Sequence, residues 1–405
     1  MMKRTLFFFL GCLILLGVFT PQTPAQTVTT ILGANVQCDP NVDSCLFFPS
    51  APSILCNGSA VILDCPQWFH PDWSQPAGTR FFGITNRTNP PRYLTSTTGI
   101  TWTLTAAQPF VAAVLNFGSY MAVSSDGSLL AASGQGANLC LIRRSTDQGA
   151  NWSTVFSSLV QNCSVGFGNP TPPGMYCAET GGYCAVFNMF NAATLTTIYS
   201  TDNGASWTIG TAYAHISADS QVWGPIVAAD GTGIVTRGSN ATSGAGQPFG
   251  SKQAADFTFT LPFIPSVNLN CRPFTMGNIL RALCRPSAGG VNTQVYSGGA
   301  LGIVPVLVST FVTQDVPTSG GTQDFQPGGF NSTYGYAVTS SFSPANKYNV
   351  YISGDGANSF VLAAVLTPTI PPIFGCCRGN FLRWGNKMYF TVAGTSSQAI
   401  FAVIQ

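Results

Sequence analysis

Ser145-Thr146-Asp147-Gln148-Gly149-Ala150-Asn151-Trp152 and Ser200-Thr201-Asp202-Asn203-Gly204-Ala205-Ser206-Trp207 are two copies of one pattern, S-x-D-x-G-x-x-W, starting 55 residues apart. Self-similarity at a fixed period marks a repeat architecture. An alternating apolar run, Thr196 to Tyr199, leads into the second copy, and Trp207-Thr208-Ile209 resumes an extended pattern after it. The pattern therefore reads as a hairpin with a longer loop. Gly149 and Gly204 suit a backbone held at positive φ. Asp147 and Asp202 can accept hydrogen bonds from N–H groups of their own turns. Trp152 and Trp207 each bury a large ring and keep one donor to satisfy.

On these residues the turn resembles the Asp-box, or BNR repeat, of sialidase-like β-propellers. In that family the box joins the two outer strands of each blade, on the face opposite the active site. The resemblance implies a structural role for Asp147, Gly149, Trp152, Asp202, Gly204 and Trp207.

Relaxed copies start at Thr95, where Thr97 replaces the Asp, and at Ser353, where Asp355 is kept and Phe360 replaces the Trp. Segments starting at Gly250, Ser297 and Gly394 fit in position and hydrophobicity only. A second track runs in phase. Asp126-Gly127 and Asp230-Gly231 each separate two apolar runs, a strong hairpin signal, and looser versions fall at Gly78, Gly181, Gly277, Gly335 and Gly385. Two hairpins per repeat make a four-stranded propeller blade. The expected fold is all-β: a seven-bladed β-propeller of four-stranded antiparallel blades, cross-linked by disulfides, with six or eight blades as alternatives.

A chain of 405 residues ordinarily suggests more than one domain, but a propeller extends one domain by repetition. Three segments are expected: a signal peptide over 1–25, an N-terminal segment with disulfide loops over 26–74 that adds a strand closing the ring, and the propeller over 75–405. Lys3-Arg4, the apolar run Leu6 to Phe19 and Thr23-Pro24-Ala25 have the order of a secretory signal, and the run is short for a membrane span. Secretion or display at the cell surface follows, without stable membrane insertion after cleavage. Removing Lys3 and Arg4 from the 16 basic residues leaves 14 against 14 acidic ones, so no basic surface argues for nucleic acid. Sequons at Asn57, Asn86, Asn151, Asn162, Asn240 and Asn331 matter only where secreted proteins are glycosylated.

Of the 13 cysteines, Cys12 lies in the signal, and an even set remains in an exported chain, which reads as disulfides rather than metal. A turn at Thr180-Gly181 sets Cys177 opposite Cys184, and one at Gly277-Asn278 sets Cys271 opposite Cys284. Directly opposed residues are close enough to bridge. Cys38–Cys45 and Cys56–Cys65 are further local pairs. Cys140, Cys163, Cys376 and Cys377 stay unassigned. Only His70 and His215 are present, and neither has ligand spacing with cysteine, so no metal or other cofactor is expected.

In a propeller, the segments entering the innermost strands share one face with the loops between second and third strands. By this register that face carries Trp68, His70, Asp72, Trp73, Asp219, Trp223, Arg272 and Arg378. Aromatics with scattered carboxylates and arginines suit a sugar or a peptide. Trp68, His70, Trp73, Trp223, Arg272 and Arg378 are the candidate ligand contacts. A two-carboxylate hydrolase needs acids about 5–10 Å apart, and Asp72 with Asp219 is the candidate catalytic pair. Active sialidases use three Arg, a Tyr–Glu nucleophile pair, an Asp acid and an Arg-Ile-Pro signature. This chain has no Arg-Ile-Pro, and its only Glu, Glu179, falls beside a turn on the box face. The expected function is therefore non-catalytic binding of an extracellular glycan or protein. The alternatives are a sialidase-like glycoside hydrolase or lyase with a different site, and a structural surface or adhesin component.

Overall fold

The computed structural model describes residues 28–32, 68–71, 80–85, 92–96, 103–111, 114–135, 138–161, 163, 174–191, 194–210, 213–214, 221–238, 248–251, 269–277, 279–286, 292–297, 306–312, 325–329, 332–341, 347–366, 381–384, 387–393 and 399–404. Every regular element among them is a strand. They begin with β1 (Val28–Leu32), followed by a first sheet of β2 (Trp68–Pro71), β3 (Phe81–Thr85), β4 (Arg92–Ser96) and β5 (Thr103–Leu104). The second sheet is β6 (Val114–Val123), β7 (Leu129–Gln135), β8 (Asn138–Ser145) and β9 (Ser153–Ser158). The third is β10 (Met175–Cys177), β11 (Cys184–Asn191), β12 (Thr194–Ser200), β13 (Thr208–Ile209) and β14 (Tyr213–Ala214). The fourth is β15 (Gln221–Val227), β16 (Gly233–Gly238) and β17 (Pro248–Ser251). The fifth is β18 (Leu269–Met276), β19 (Ile279–Pro286), β20 (Asn292–Ser297) and β21 (Val306–Val312). The sixth is β22 (Phe325–Gly329), β23 (Gly335–Ser341), β24 (Lys347–Ser353) and β25 (Val361–Leu366). The last is β26 (Phe381–Trp384), β27 (Lys387–Ala393) and β28 (Ala399–Ile404), onto which β1 adds.

The chain is thus an all-β propeller of antiparallel sheets, but the expectation of seven equal four-stranded blades is corrected. Only five of the sheets have the four-stranded form; one has three strands and one has five. The five-stranded sheet arises because its outer edge is broken. β13 pairs with Ile198 and Tyr199 of β12, while β14 pairs with Thr194 and Leu195 of the same strand. The three-stranded sheet ends at β17, and residues 252–268, which follow it, are outside the described set.

The box-like turn expected at Gly394 is also corrected. It lies between β27 and β28, the second and third strands of their sheet, because the fourth strand comes from the other end of the chain. β1 pairs antiparallel with β28, from Val28 opposite Ile404 to Leu32 opposite Ile400. Closing the last sheet with the first strand removes an open edge. The propeller therefore takes strands from both sides of residue 75, since β1 and β2 precede it.

Both faces of the inner strands are buried, because each sheet is covered by two neighbours. Along β6, Tyr120 and Ala122 pack toward Met175, Cys177, Cys184 and Val186 of the third sheet. Met121 and Val123, pointing to the other face, pack toward Phe82 and Tyr93 of the first. The same arrangement recurs where Ile226 meets Cys271 and Ala282, and where Phe274 and Leu283 meet Ala337 and Tyr351. This is why the inner strands read as nearly continuous apolar runs rather than clean alternations.

Cys177–Cys184 and Cys271–Cys284 are disulfides between directly paired residues, with Cα atoms 4.1 and 4.0 Å apart. Each joins the first two strands of its sheet, as expected. A third bond, Cys140–Cys163, ties β8 to the segment leaving β9. The expected Cys38–Cys45 and Cys56–Cys65 pairs, Cys376, Cys377 and the signal segment 1–25 lie outside the described residues.

Candidate functional site

The S-x-D-x-G-x-x-W turns orient the whole molecule. Residues 145–152 join β8 to β9, residues 200–207 join β12 to β13, and residues 353–360 join β24 to β25. All are connections from a third to a fourth strand. Each Asp is consumed by its own turn. Asp147 accepts from the Ser145 hydroxyl at 2.8 Å, the Asn151 N–H at 2.9 Å and the Asn151 amide at 2.7 Å. Asp202 accepts from the Ser200 hydroxyl at 2.7 Å and from the Ser206 N–H and hydroxyl at 2.9 and 2.6 Å. Asp355 repeats the set with Ser353 and Ser359. Three of the four donor positions are the same in each copy, so first, third and seventh residues form one unit.

The fifth residue carries the backbone strain. Gly149 and Gly204 have φ of +86° and +76°, and their N–H groups donate to the serine at position one at 2.8 Å. In the third copy Ala357 takes this place at φ +66° behind Gly356. The eighth residue then packs back on the preceding sheet. Trp152 donates to the Ala107 carbonyl at 3.1 Å and tilts against Tyr93 with ring centroids 5.7 Å apart. Phe360 stacks on Phe311 at 4.9 Å.

These turns share an end of the propeller with the hairpins between first and second strands. The Asn203 N–H donates to the Gly182 carbonyl at 2.9 Å, and the Ser125 hydroxyl donates to the Asn203 side chain at 2.7 Å. Glu179, in the connection from β10 to β11, is therefore at this turn end. So is Tyr176, which crosses β15 to share a 3.0 Å hydrogen bond with Thr275 on β18. Burial of its phenol, more than the nearby Glu179 charge, pushes Tyr176 well above the ordinary tyrosine range. A phenol stabilised as the neutral form is poor nucleophile material. Tyr176 and Glu179 are thus packing groups on the closed side.

The opposite, crossover end holds the candidate binding residues. Trp68 opens β2 opposite Ile84, and His70 lies two residues on, opposite Phe82. Trp223 lies on β15 opposite Thr236, and the ladder is irregular between Trp223 and Ile226. Gly224 and Pro225 occupy that irregularity, as expected of residues that interrupt a ladder. Arg272 lies on β18 opposite Leu283 and is 4% exposed. The innermost strands β2, β15 and β18 therefore carry Trp68, His70, Trp223 and Arg272. Asp72, Trp73, Asp219 and Arg378 lie outside the described residues. Among the described residues no group of three His, Cys, Asp or Glu could hold a metal ion.

Two features escaped the sequence reading. Arg144 bridges consecutive sheets, and its only signal is its place one residue before a turn motif. Arg285, 1% exposed, is among the largest fully buried side chains, which nothing in a local pattern announces.

No protein-family profile matches the chain, and no curated protein sequence matches it. Solved structures do resemble it in fold. The β-propeller domain of the Trilobed protease from Pyrococcus furiosus has 8% identity over 83% of this chain and 93% of that one, with a TM-score of 0.46. The six-bladed fucose-recognising fungal lectin of Aleuria aurantia has 11% identity over 72% and 92%, with a TM-score of 0.39. Sqt1 of Saccharomyces cerevisiae has 8% identity over 81% and 80%, with a TM-score of 0.47.

Proposed function

We propose that this propeller is an exported, non-catalytic binding module whose crossover end takes an extracellular glycan or protein. The observation that carries the reading is the position of Glu179. The only glutamate of the chain sits at the turn end, beside a desolvated tyrosine, away from the strands that bear Trp68, His70 and Trp223. A Tyr–Glu nucleophile pair of the sialidase kind has no counterpart there. The turns fit the Asp-box resemblance in a structural role, since all three intact aspartates are spent on their own loops. Buried disulfides support export to an oxidising compartment. Aromatic side chains at the mouth of a propeller offer flat apolar faces for a sugar ring or a peptide.

The test is a glycan array probed with the mature chain, reading bound protein and loss of terminal sugar on the same spots. Binding with intact sugars, abolished by Trp68→Ala or Trp223→Ala in folded protein, is the expected result. Sugar loss that disappears in Asp72→Asn or Asp219→Asn overturns it in favour of a hydrolase. Silence on both channels overturns the glycan ligand and leaves a protein partner or a structural role.

A further inference from the structure

The fifth and sixth sheets meet across an interface whose two halves differ in chemistry. Toward the turn end it is apolar: Phe274, Met276, Leu283, Val295, Ala337 and Tyr351 form one buried cluster. Toward the crossover end the same faces turn polar. Arg272 pairs with Leu283, so both point to this interface. Arg285 lies two residues beyond Leu283 on β19, and Thr293 two before Val295 on β20, on the same face. From the facing sheet come Thr339, two beyond Ala337, and its register partner Asn349. All five are buried: Arg272 4%, Arg285 1%, Thr293 0%, Thr339 0% and Asn349 3% exposed.

Two guanidiniums in this setting carry positive charge that hydrogen bonds to carbonyls do not neutralise. Arginine does not lose its proton in proteins. The eight strands β18 to β25 contain Arg272, Arg281, Arg285 and Lys347, and no Asp or Glu. Arg281 points its guanidinium out to the Gly356 carbonyl at the turn end, 3.2 Å away, and does not share the polar half. The Thr293 and Thr339 hydroxyls, both fully buried, have no hydrogen-bond partner. A buried hydroxyl left in that state is unfavourable, and its presence calls for an acceptor.

We propose that the crossover half of this interface is a binding site for a small inorganic monoanion of halide size, held by Arg272 and Arg285 with the Thr293 and Thr339 hydroxyls as donors. The anion offsets the charge of the two guanidiniums and accepts from both hydroxyls. At these burials a macromolecule does not reach the site, whereas a single ion does. The site pins the fifth sheet to the sixth and is separate from the ligand-binding reading above.

The test uses the full exported chain. Thermal unfolding is followed at fixed ionic strength while chloride replaces gluconate, a monoanion too large to enter. The expected result is a rise in Tm of about 3 °C that saturates, as specific binding to the folded state requires. Arg285→Met or Arg272→Met removes the saturable part. Should those variants fail to fold, a bromide-soaked crystal of the unaltered protein shows an anomalous peak between the two guanidiniums. A flat chloride titration with no bromide peak overturns the site. So does saturation unchanged in both variants, or loss of stability in Asp315→Asn or Asp324→Asn without any chloride dependence, which assigns the balancing charge to the chain itself.

Discussion

Arg144 Nε donates to the Asn203 carbonyl at 3.0 Å, joining the third strand of one sheet to the turn of the next. The same guanidinium pairs with Asp126 at 2.9 Å, and Asp126 in turn accepts from Ser124 and the Ser128 N–H. Arg281 makes the equivalent contact to the Gly356 carbonyl, from a second strand rather than a third. Two unrelated arginines thus satisfy the fourth-position carbonyl of the turn on the following sheet. Arg144→Met leaves that carbonyl without its donor and breaks the half-exposed ion pair. The expected loss is about 1–2 kcal/mol of unfolding free energy, read as a lower urea midpoint. Arg144→Lys recovers only part of it, because one ammonium cannot hold both partners in a planar fork.

Adjacent residues of one turn respond to substitution in opposite directions. At Gly149, φ is +86° and an added Cβ comes 2.7 Å from the Thr105 Cβ. Gly149→Ala is expected to destabilise by about 2 kcal/mol or more, from backbone strain and overpacking together. Gln148 has φ +62° but is exposed. Gln148→Gly relieves the left-handed strain against a smaller entropic penalty and gains about 0.5 kcal/mol. Urea midpoints of the two variants check the sign.

The turn aspartates make stability depend on acid pH. At Asp202, burial pushes the carboxyl up, but hydrogen bonds from Ser206 and Ser200 outweigh it and hold it below the ordinary value. Asp126 and Asp355 behave alike, and at Asp147 the Asn151 amide and N–H dominate. A carboxyl lowered in the folded state stabilises fully above its unfolded value, about 3.9. That contribution is lost as pH falls through the folded value. The urea midpoint is expected to hold near neutrality and drop below about pH 4. Asp202→Asn flattens that acid limb, and an unchanged limb in this variant disproves the assignment.

The three described disulfides close loops of different lengths, with sequence separations of 7, 13 and 23 for Cys177–Cys184, Cys271–Cys284 and Cys140–Cys163. On chain entropy alone they contribute about 2.5, 3 and 3.5 kcal/mol. Paired Cys→Ala variants are expected to lose stability in that order. Calorimetry of the three double variants measures the ranking.

The strand pairings Cys177–Cys184 and Cys271–Cys284 were legible because each is set by a turn a few residues away. Cys140–Cys163 was not, because a loop and a strand intervene and no local pattern fixes where the chain returns. The Arg272 and Arg285 face was hidden for a related reason: period-two alternation says which residues share a face, but not which sheet covers it. The crossover end is the least legible part, since Trp68, His70 and Trp223 come from strands more than a hundred residues apart in sequence.

By itself the sequence determined the unit of this protein. The serine, aspartate and glycine of each turn bond within four residues of one another, and hairpins follow from turn chemistry beside apolar runs. Such contacts need no distant partner, so they are written in adjacent letters. Tertiary structure alone decided how the units were counted and closed. β1 and β28 meet across nearly the whole chain, the third sheet breaks its edge into β13 and β14, and the segment at Gly394 joins a second strand to a third. Each of these depends on where a remote strand lies, and the free energy that places it comes from burying both faces of every sheet between its neighbours.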